Sequence, residues 1–428
     1  MFAFAAIGIF FFFITITIGG ESSIPLDHLV TFFKDRFPNG IKYYAFLVII
    51  GGGVFPFIKG TWKDSNADVI LSILKIIGIV FASMYIFHFG PQFLFEKDMI
   101  PFLFNNLVIS VGLIVPLGAI FLSFLIDYGL LELVGVIMQP IMRRVWKTPG
   151  KSAVDAVASF VGSYSIGLLI TGKVYKNGGY SFKEAAIIAT GFSTVSATFM
   201  IIVAKTLDLM HLWNLYFWMT IFITFIVTAI TARIYPIKRM NHFETESDLA
   251  LNKGNLNTNK GLNRAFESGL KVCSEADNLF VNIKSNFIAG LIMTMSILAS
   301  IMSVGTIGLI LAKFTPFFDI MGYLFYPFAW VTNIPEPIEF SKAIASSLAE
   351  MFLPALILKD AELVSRFTAG IVSISSILFF SASIPCILST GIPISIKDLV
   401  IIWIERVILT ILIAAPSIHL LVFLKVIH

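Results

Sequence analysis

The chain has 428 residues, 57% of them hydrophobic and only 13% charged, with a formal net charge of +4 and a mean hydropathy of +0.90; this excludes an ordinary soluble domain and indicates an integral membrane protein. Apolar runs long enough to cross about 30 Å of hydrocarbon as helices recur along the whole length, which favours a helical bundle over a barrel. Basic residues sit beside these runs and form no single patch with interleaved aromatics, so nucleic acid is not an expected partner, and two cysteines, Cys273 and Cys386, are too few for a disulfide framework or a paired-cysteine zinc site.

In chain order, spans are predicted at about 2–19, 43–60, 69–90, 104–127, 184–206, 211–234, 285–313, 362–391 and 398–425. The opening run, Met1 to Gly19, lacks a basic flank and a small-residue cleavage site before Glu21-Ser22-Ser23, so it is expected to be a first span and not a signal peptide. From Ile24 to Lys42, a mixed run with Pro25, Phe32, Phe33 and Phe37 suits a short helix at the membrane surface. Residues 129–146 and 316–331 are too short or too polar at their ends to cross, and are expected to lie along opposite surfaces. The one clearly soluble stretch runs from Lys238 to Lys284, rich in charge and in Asn252, Asn255, Asn257 and Asn259.

A repeat organises this series. Leu130-Leu131-Glu132-Leu133-Val134-Gly135 aligns with Phe317-Phe318-Asp319-Ile320-Met321-Gly322, 187 residues on, and the same register sets Pro140 over Pro327, Ala158-Ser159 over Ala345-Ser346, and Gly167 over Pro354. After a deletion of eight residues in the second copy, Gly191-Phe192-Ser193-Thr194-Val195-Ser196 aligns with Gly370-Ile371-Val372-Ser373-Ile374-Ser375. Four regions follow: 1–103 with the N-terminal spans and interfacial helix, a first repeat at 104–237, a cytoplasmic loop at 238–284 and a second repeat at 285–428.

Charge sets the expected topology. Arg143, Arg144, Lys147 and Lys151 precede the apolar stretch 153–172, and Lys173, Lys176 and Lys183 follow it, so both ends favour the cytoplasm. A re-entrant hairpin satisfies this, with Gly162-Ser163-Tyr164-Ser165-Ile166-Gly167 as its polar tip. The second copy has no Lys or Arg from Phe314 to Phe340 but carries Glu336 and Glu339, and should enter from outside. The expected fold is therefore an all-α polytopic membrane protein, with about nine spans and two re-entrant helical hairpins in an inverted repeat. Such repeats are characteristic of secondary transporters with a site near the midplane.

The pattern, with GFSTVS at 191–196, EMFLP at 350–354 and IIWIER at 401–406, resembles the nucleoside-recognition GATE-domain membrane proteins of the YjiH type, over roughly residues 104–425. More distantly it is similar to the concentrative nucleoside transporters. That resemblance implies a solute site between two hairpin tips and two unwound spans. Glu350 resembles the acidic residue of their second hairpin, and Ser373, Ser375 and Ser376 resemble the polar break in the following span. Where those transporters carry a Gln-Thr-Glu run that reads a nucleobase, this chain has Ser163-Tyr164-Ser165.

Tips and breaks mark a cavity, because unpaired backbone groups are tolerated at membrane depth only where they line one or are buried in protein. The expected substrate-binding set is Ser163, Tyr164, Ser165, Glu350, Phe352, Ser373, Ser375 and Ser376, with aromatic packing and small-residue helix contacts as the bland alternatives. An intramembrane carboxylate such as Glu350 is functional by default, its alternative being a structural ion pair with Arg366 or Arg406. Glu336, Glu339 and Asp155 read as solvated mouth residues, and Glu405-Arg406 as an interfacial pair. Ser193, Thr194 and Ser196 offer hard oxygens for a sodium ion, while Glu350 is the titratable group a proton-coupled mechanism would use. No other cofactor is expected, and neither HExxH nor GxSxG occurs in a setting that suggests an enzyme. The leading expectation is a multi-pass transporter of a small polar, nucleoside-like solute in the cell inner membrane. The alternative is a non-transporting scaffold or sensor that works with a second GATE-type subunit; the expected partners are the lipid bilayer, the small polar solute, and either a second copy of this chain in a homo-oligomer or a second GATE-type membrane subunit.

Overall fold

The computed structural model describes residues 2–14, 16–18, 21–23, 25–63, 66–97, 99–126, 128, 137–161, 164–176, 178–240, 266–267, 270–271, 273–274 and 278–427. These fall into two compact units, Met1–Leu133 with Asn263–Leu309, and Val134–Leu262 with Ile310–His428. Six helices among the described residues are long and apolar enough to cross a membrane: Pro38–Lys59, Asp68–Phe87, Gln92–Phe121, Met210–Thr231, Leu279–Leu311 and Ile396–Phe423.

The first unit takes four of these long helices. Gly52 and Gly78 lie directly against the backbone of Met295 and Ala299, where a Cβ has no room, so small residues let the helix axes approach closely. The predicted first span is shorter than expected. Its helix, Phe2–Phe13, has 12 residues and reaches about 18 Å, well under the thickness of a bilayer core. Alternating Ile and Thr then favour extended backbone, and Ile16–Ile18 pairs antiparallel with Glu21–Ser23. The short helix is held by ring stacking, Phe11 on Phe121 at 3.7 Å and Phe4 on Tyr128 at 4.1 Å between centroids.

The second unit contains one order of elements twice. The first series is a helical hairpin (Ser152–Val161, Tyr164–Lys176), an interrupted helix (Phe182–Gly191, Ala197–Thr206) and a long helix (Trp213–Thr231). The second is a hairpin (Pro337–Ala345, Leu353–Ile357), an interrupted helix (Leu363–Ser375, Ser383–Ser389) and a long helix (Ile396–Phe423). The spans predicted at 184–206 and 362–391 are thus each two half-helices. Short helices Phe317–Gly322 and Tyr326–Val331 precede the second hairpin, and 137–146 is helical ahead of the first. Most of 238–284 lies outside the described residues, as does part of 129–146.

The first interruption arises from side chains that compete for the backbone. After Gly191, Ser193 Oγ donates back to Ile188 O (3.3 Å), Thr194 N turns to Phe192 O (2.8 Å), and Ser196 caps the next half-helix by accepting from Phe199 N (3.3 Å). The second break repeats the tight turn, with Leu378 N on Ser376 O at 2.6 Å. Ile377 sits there at φ +60°, a left-handed backbone that a β-branched residue seldom adopts.

Candidate functional site between two hairpins and two helix breaks

In the first hairpin, Gly167 lets the two arms close against Ser159. Asp155, read from sequence as a solvated mouth residue, is instead fully buried. Thr171 Oγ1 donates to its Oδ1 at 3.0 Å and Tyr180 Oη to its Oδ2 at 2.6 Å, so each carboxylate oxygen is matched by a hydroxyl from the same hairpin or the loop after it. Glu184 is a second buried carboxylate, bound by Arg143 at 3.0 Å and by the Ser181 capping box that starts the interrupted helix. Gly162 and Ser163 lie outside the described residues, as does the side chain of Ser165.

The second hairpin is tied to the break that follows it. Phe380 N donates to Leu348 O (2.8 Å) and Ser381 N to Ala349 O (3.0 Å), a strand-like pairing of tip and unwound segment. Buried Glu350 extends the pairing: Ser381 Oγ donates to its Oε2, and Phe352 N approaches Oε1 at 3.4 Å. Neither basic residue proposed as a structural counter-ion takes that place among the described residues. Arg366 contacts Asp208 at 3.6 Å and Leu207 O at 2.9 Å, and Arg406 bonds elsewhere.

Each hairpin also reaches the interrupted helix of the other series. Tyr164 packs edge-on against Phe379 of the second break, with centroids 5.7 Å apart, and Phe352 packs edge-on against Phe199 beyond the first, at 6.1 Å. Tyr164, Glu350 and Phe352 are thereby brought to one cluster. Ser193, Thr194 and Ser196 are buried at the first break as expected.

The second break lies later than the sequence register implies. Gly191 over Gly370 would put the tight turn at Ile371–Ser373, whereas it spans Ser376–Leu378. Ser373 and Ser375 therefore belong to the last turn of a helix, and only Ser376 begins the break. Ser375 Oγ pairs with Thr410 Oγ1 (2.8 Å) and Ser376 Oγ bonds to Ser373 O (3.2 Å), while the buried hydroxyls of Ser373 and Thr368 have no partner among the described residues. The helix continues past the expected point because its end is fixed from outside. Arg406 Nε donates to Ser375 O at 2.7 Å.

Arg406 is no interfacial residue. It is fully buried, near the middle of the long helix that starts after the Ser395 cap, and shares a face with Trp403 and Thr410. Trp403 Nε1 donates to Ser347 Oγ at 3.2 Å, so the same stripe touches the second hairpin. The other long helix presents a threonine ladder, Thr220, Thr224 and Thr228, and at its two ends meets both aligned glycines. Thr228 Oγ1 donates to Gly191 O (2.8 Å) and Tyr216 Oη to Gly370 O (3.0 Å). Sequence patterning missed Ser381, Thr228 and the burial of Arg406; a charge inside the run IIWIERVILT was the available signal.

A family model described as Gate, nucleoside recognition, matches residues 108–210. An uncharacterized protein of Alkalihalophilus pseudofirmus is 30% identical over 385 residues, covering 86% of this chain and 79% of the relative. Two solved structures of CNTnw variants in an outward-facing state align at 14% identity. One has a TM-score of 0.46 and covers 89% of this chain and 91% of that chain; the other has a TM-score of 0.43 and covers 92% and 99%. The chain therefore belongs to the same family as the Alkalihalophilus protein, and is a helical, multi-pass membrane protein bearing a nucleoside-recognition Gate domain.

Proposed function

We propose that this protein is a secondary transporter of a small polar, nucleoside-like metabolite in the cytoplasmic (inner) membrane, with the solute held between the hairpin tips and the helix breaks. The observation that carries this proposal is the link from Glu350 to Ser381, a buried carboxylate on one hairpin tip bound to an unwound segment. Tyr164 and Phe352 flank the solute, Glu350 accepts from its donors, and the unpartnered Ser373 hydroxyl is a further contact, with Ser163, Ser165, Ser375 and Ser376 completing the polar lining. The two series act as inverted repeats that rock about this point, the general mode for transporters with discontinuous helices. Transport is cation-coupled. Ser193, Thr194 and Ser196 supply oxygens for sodium, whereas the Glu350 contact with Ser381 favours a proton as the second reading, since protonation would loosen the latch.

Purified protein screened by thermal shift against nucleosides and related metabolites, with and without sodium, identifies ligands, because a molecule that binds only the folded state raises its apparent stability. Hits are then tested for uptake into proteoliposomes under an imposed sodium or pH gradient. Under sodium coupling, Thr194→Val with Ser196→Ala lowers sodium affinity more than maximal rate. No shift by any solute and no uptake under either gradient, together with stoichiometric recovery of a second membrane subunit, would replace transport with the scaffold role.

A further inference from the structure

Arg406 is a full positive charge enclosed in protein, and burying a guanidinium costs several kcal/mol unless its charge and donors are met. Among the described residues no carboxylate lies within salt-bridge distance of it, and its Nη2 has no partner. What meets it is one backbone carbonyl and one hydroxyl. Nε donates to Ser375 O at 2.7 Å, the last residue of the half-helix before the second break. Nη1 donates to Thr228 Oγ1 at 3.1 Å, and the single proton of that hydroxyl is shared between Thr224 O (2.7 Å) and Gly191 O (2.8 Å), the latter on the last residue of the half-helix before the first break. Each helix C-terminus carries about half a negative charge on carbonyls left without partners. Two of them amount to roughly one, the charge a single guanidinium neutralises. Where discontinuous membrane helices converge in this way, such carbonyls commonly hold a monovalent ion.

We infer that Arg406 is a resident cation for the paired helix breaks: a tethered guanidinium that does the work of a bound metal ion at the two C-termini and makes the two interruptions hold or open together. It is a positioning residue, acting on the breaks and not on a solute. Nothing in the inference depends on what is transported, so it can fail or survive separately from the transport proposal.

The test uses purified full-length protein in a Cys273→Ser background, leaving Cys386, which is half-buried in the half-helix after the second break. The maleimide reaction rate of Cys386 and the thermal unfolding midpoint are measured for Arg406, Arg406→Ala, Arg406→Lys and Thr228→Val, each with guanidinium chloride far below denaturing concentration or with choline chloride. Arg406→Ala is expected to speed Cys386 labelling by about tenfold, the change in a local opening equilibrium that ~1.4 kcal/mol produces, and to lower the midpoint. Guanidinium, and not choline, restores both, while the unsubstituted protein responds to neither. Thr228→Val gives a smaller change in the same direction. Unchanged labelling and midpoint in Arg406→Ala, or equal recovery with choline, overturns the inference. Should Arg406→Ala fail to fold, Arg406→Lys carries the test: an ammonium reaches one break and not both, so labelling rises, and a lysine variant indistinguishable from the parent protein overturns it.

Discussion

The two hairpins bury one carboxylate each, and the two are held in opposite ways. Asp155 is satisfied within its own hairpin and the adjoining loop, with Thr171 on one oxygen and Tyr180 on the other. Glu350 is held chiefly from outside, by Ser381 of the following break, with only the longer contact from Phe352 N at 3.4 Å coming from its own hairpin. Burial alone thus does not mark a functional acid. A carboxylate whose partners belong to its own rigid element fixes that element, whereas one whose partner lies on an unwound segment couples two parts that can separate.

The sharpest way to break this comparison is to remove charge while keeping shape at both positions. Glu350→Gln is expected to reduce proteoliposome uptake to background with monodispersity retained by size-exclusion chromatography. Asp155→Asn should keep uptake close to normal, because an amide can accept from Thr171 and donate to Tyr180. Loss of uptake in a well-folded Asp155→Asn protein would abolish the distinction. Asp155→Leu takes the carboxylate acceptor from the Thr171 and Tyr180 hydroxyls, at about 1.5–3 kcal/mol for each bond to a charged group, and should appear as a large drop in thermal midpoint and in folded yield.

A smaller effect separates the two breaks. A Cβ at Gly370 would meet the Tyr216 ring at 2.9 Å, a rigid neighbour, and at Gly191 the Thr228 side chain. Gly370→Ala is expected to cost about 1–3 kcal/mol through overpacking, and Tyr216→Phe about 1 kcal/mol for the lost bond to Gly370 O, both read from thermal unfolding midpoints. Equal tolerance of alanine at a nearby exposed position and at Gly370 would remove the close-approach account. Topology should cost nothing to probe: single cysteines near Lys147 and Lys176 are expected to react with an impermeant reagent from the cytoplasmic side alone, and those near Glu336 and Asp360 from outside alone. Opposite labelling within either pair would end the inverted-hairpin arrangement.

Much of the architecture was legible in the chain. Long apolar runs specify helices because every backbone group in hydrocarbon must be bonded internally, and the first hairpin was visible as a short apolar stretch with basic residues at both ends and a Gly/Ser tip, whereas the interrupted helices read as single spans at 184–206 and 362–391 and were implied by the family resemblance alone. Ser193, Thr194 and Ser196 stand at the first break because local hydroxyls compete for the backbone there, an effect that reads directly from sequence. The short N-terminal helix was less legible, since an Ile/Thr run satisfies a hydropathy count as well as a helix does.

Local chemistry by itself therefore determined that this is a helical membrane protein with two hairpins, and placed Glu350 within the second of them. Tertiary structure decided where the second interruption falls, since its helix runs on to Ser375 until Arg406, 31 residues later, takes the terminal carbonyl. It decided as well that Asp155 is enclosed and that Arg406 bonds one helix end directly and reaches the other through Thr228, with no acid among the described residues within salt-bridge distance. A charge is assigned by what surrounds it, and those surroundings come from residues as much as 178 positions away, as Thr228 is from Arg406, a distance over which no periodicity or motif carries information.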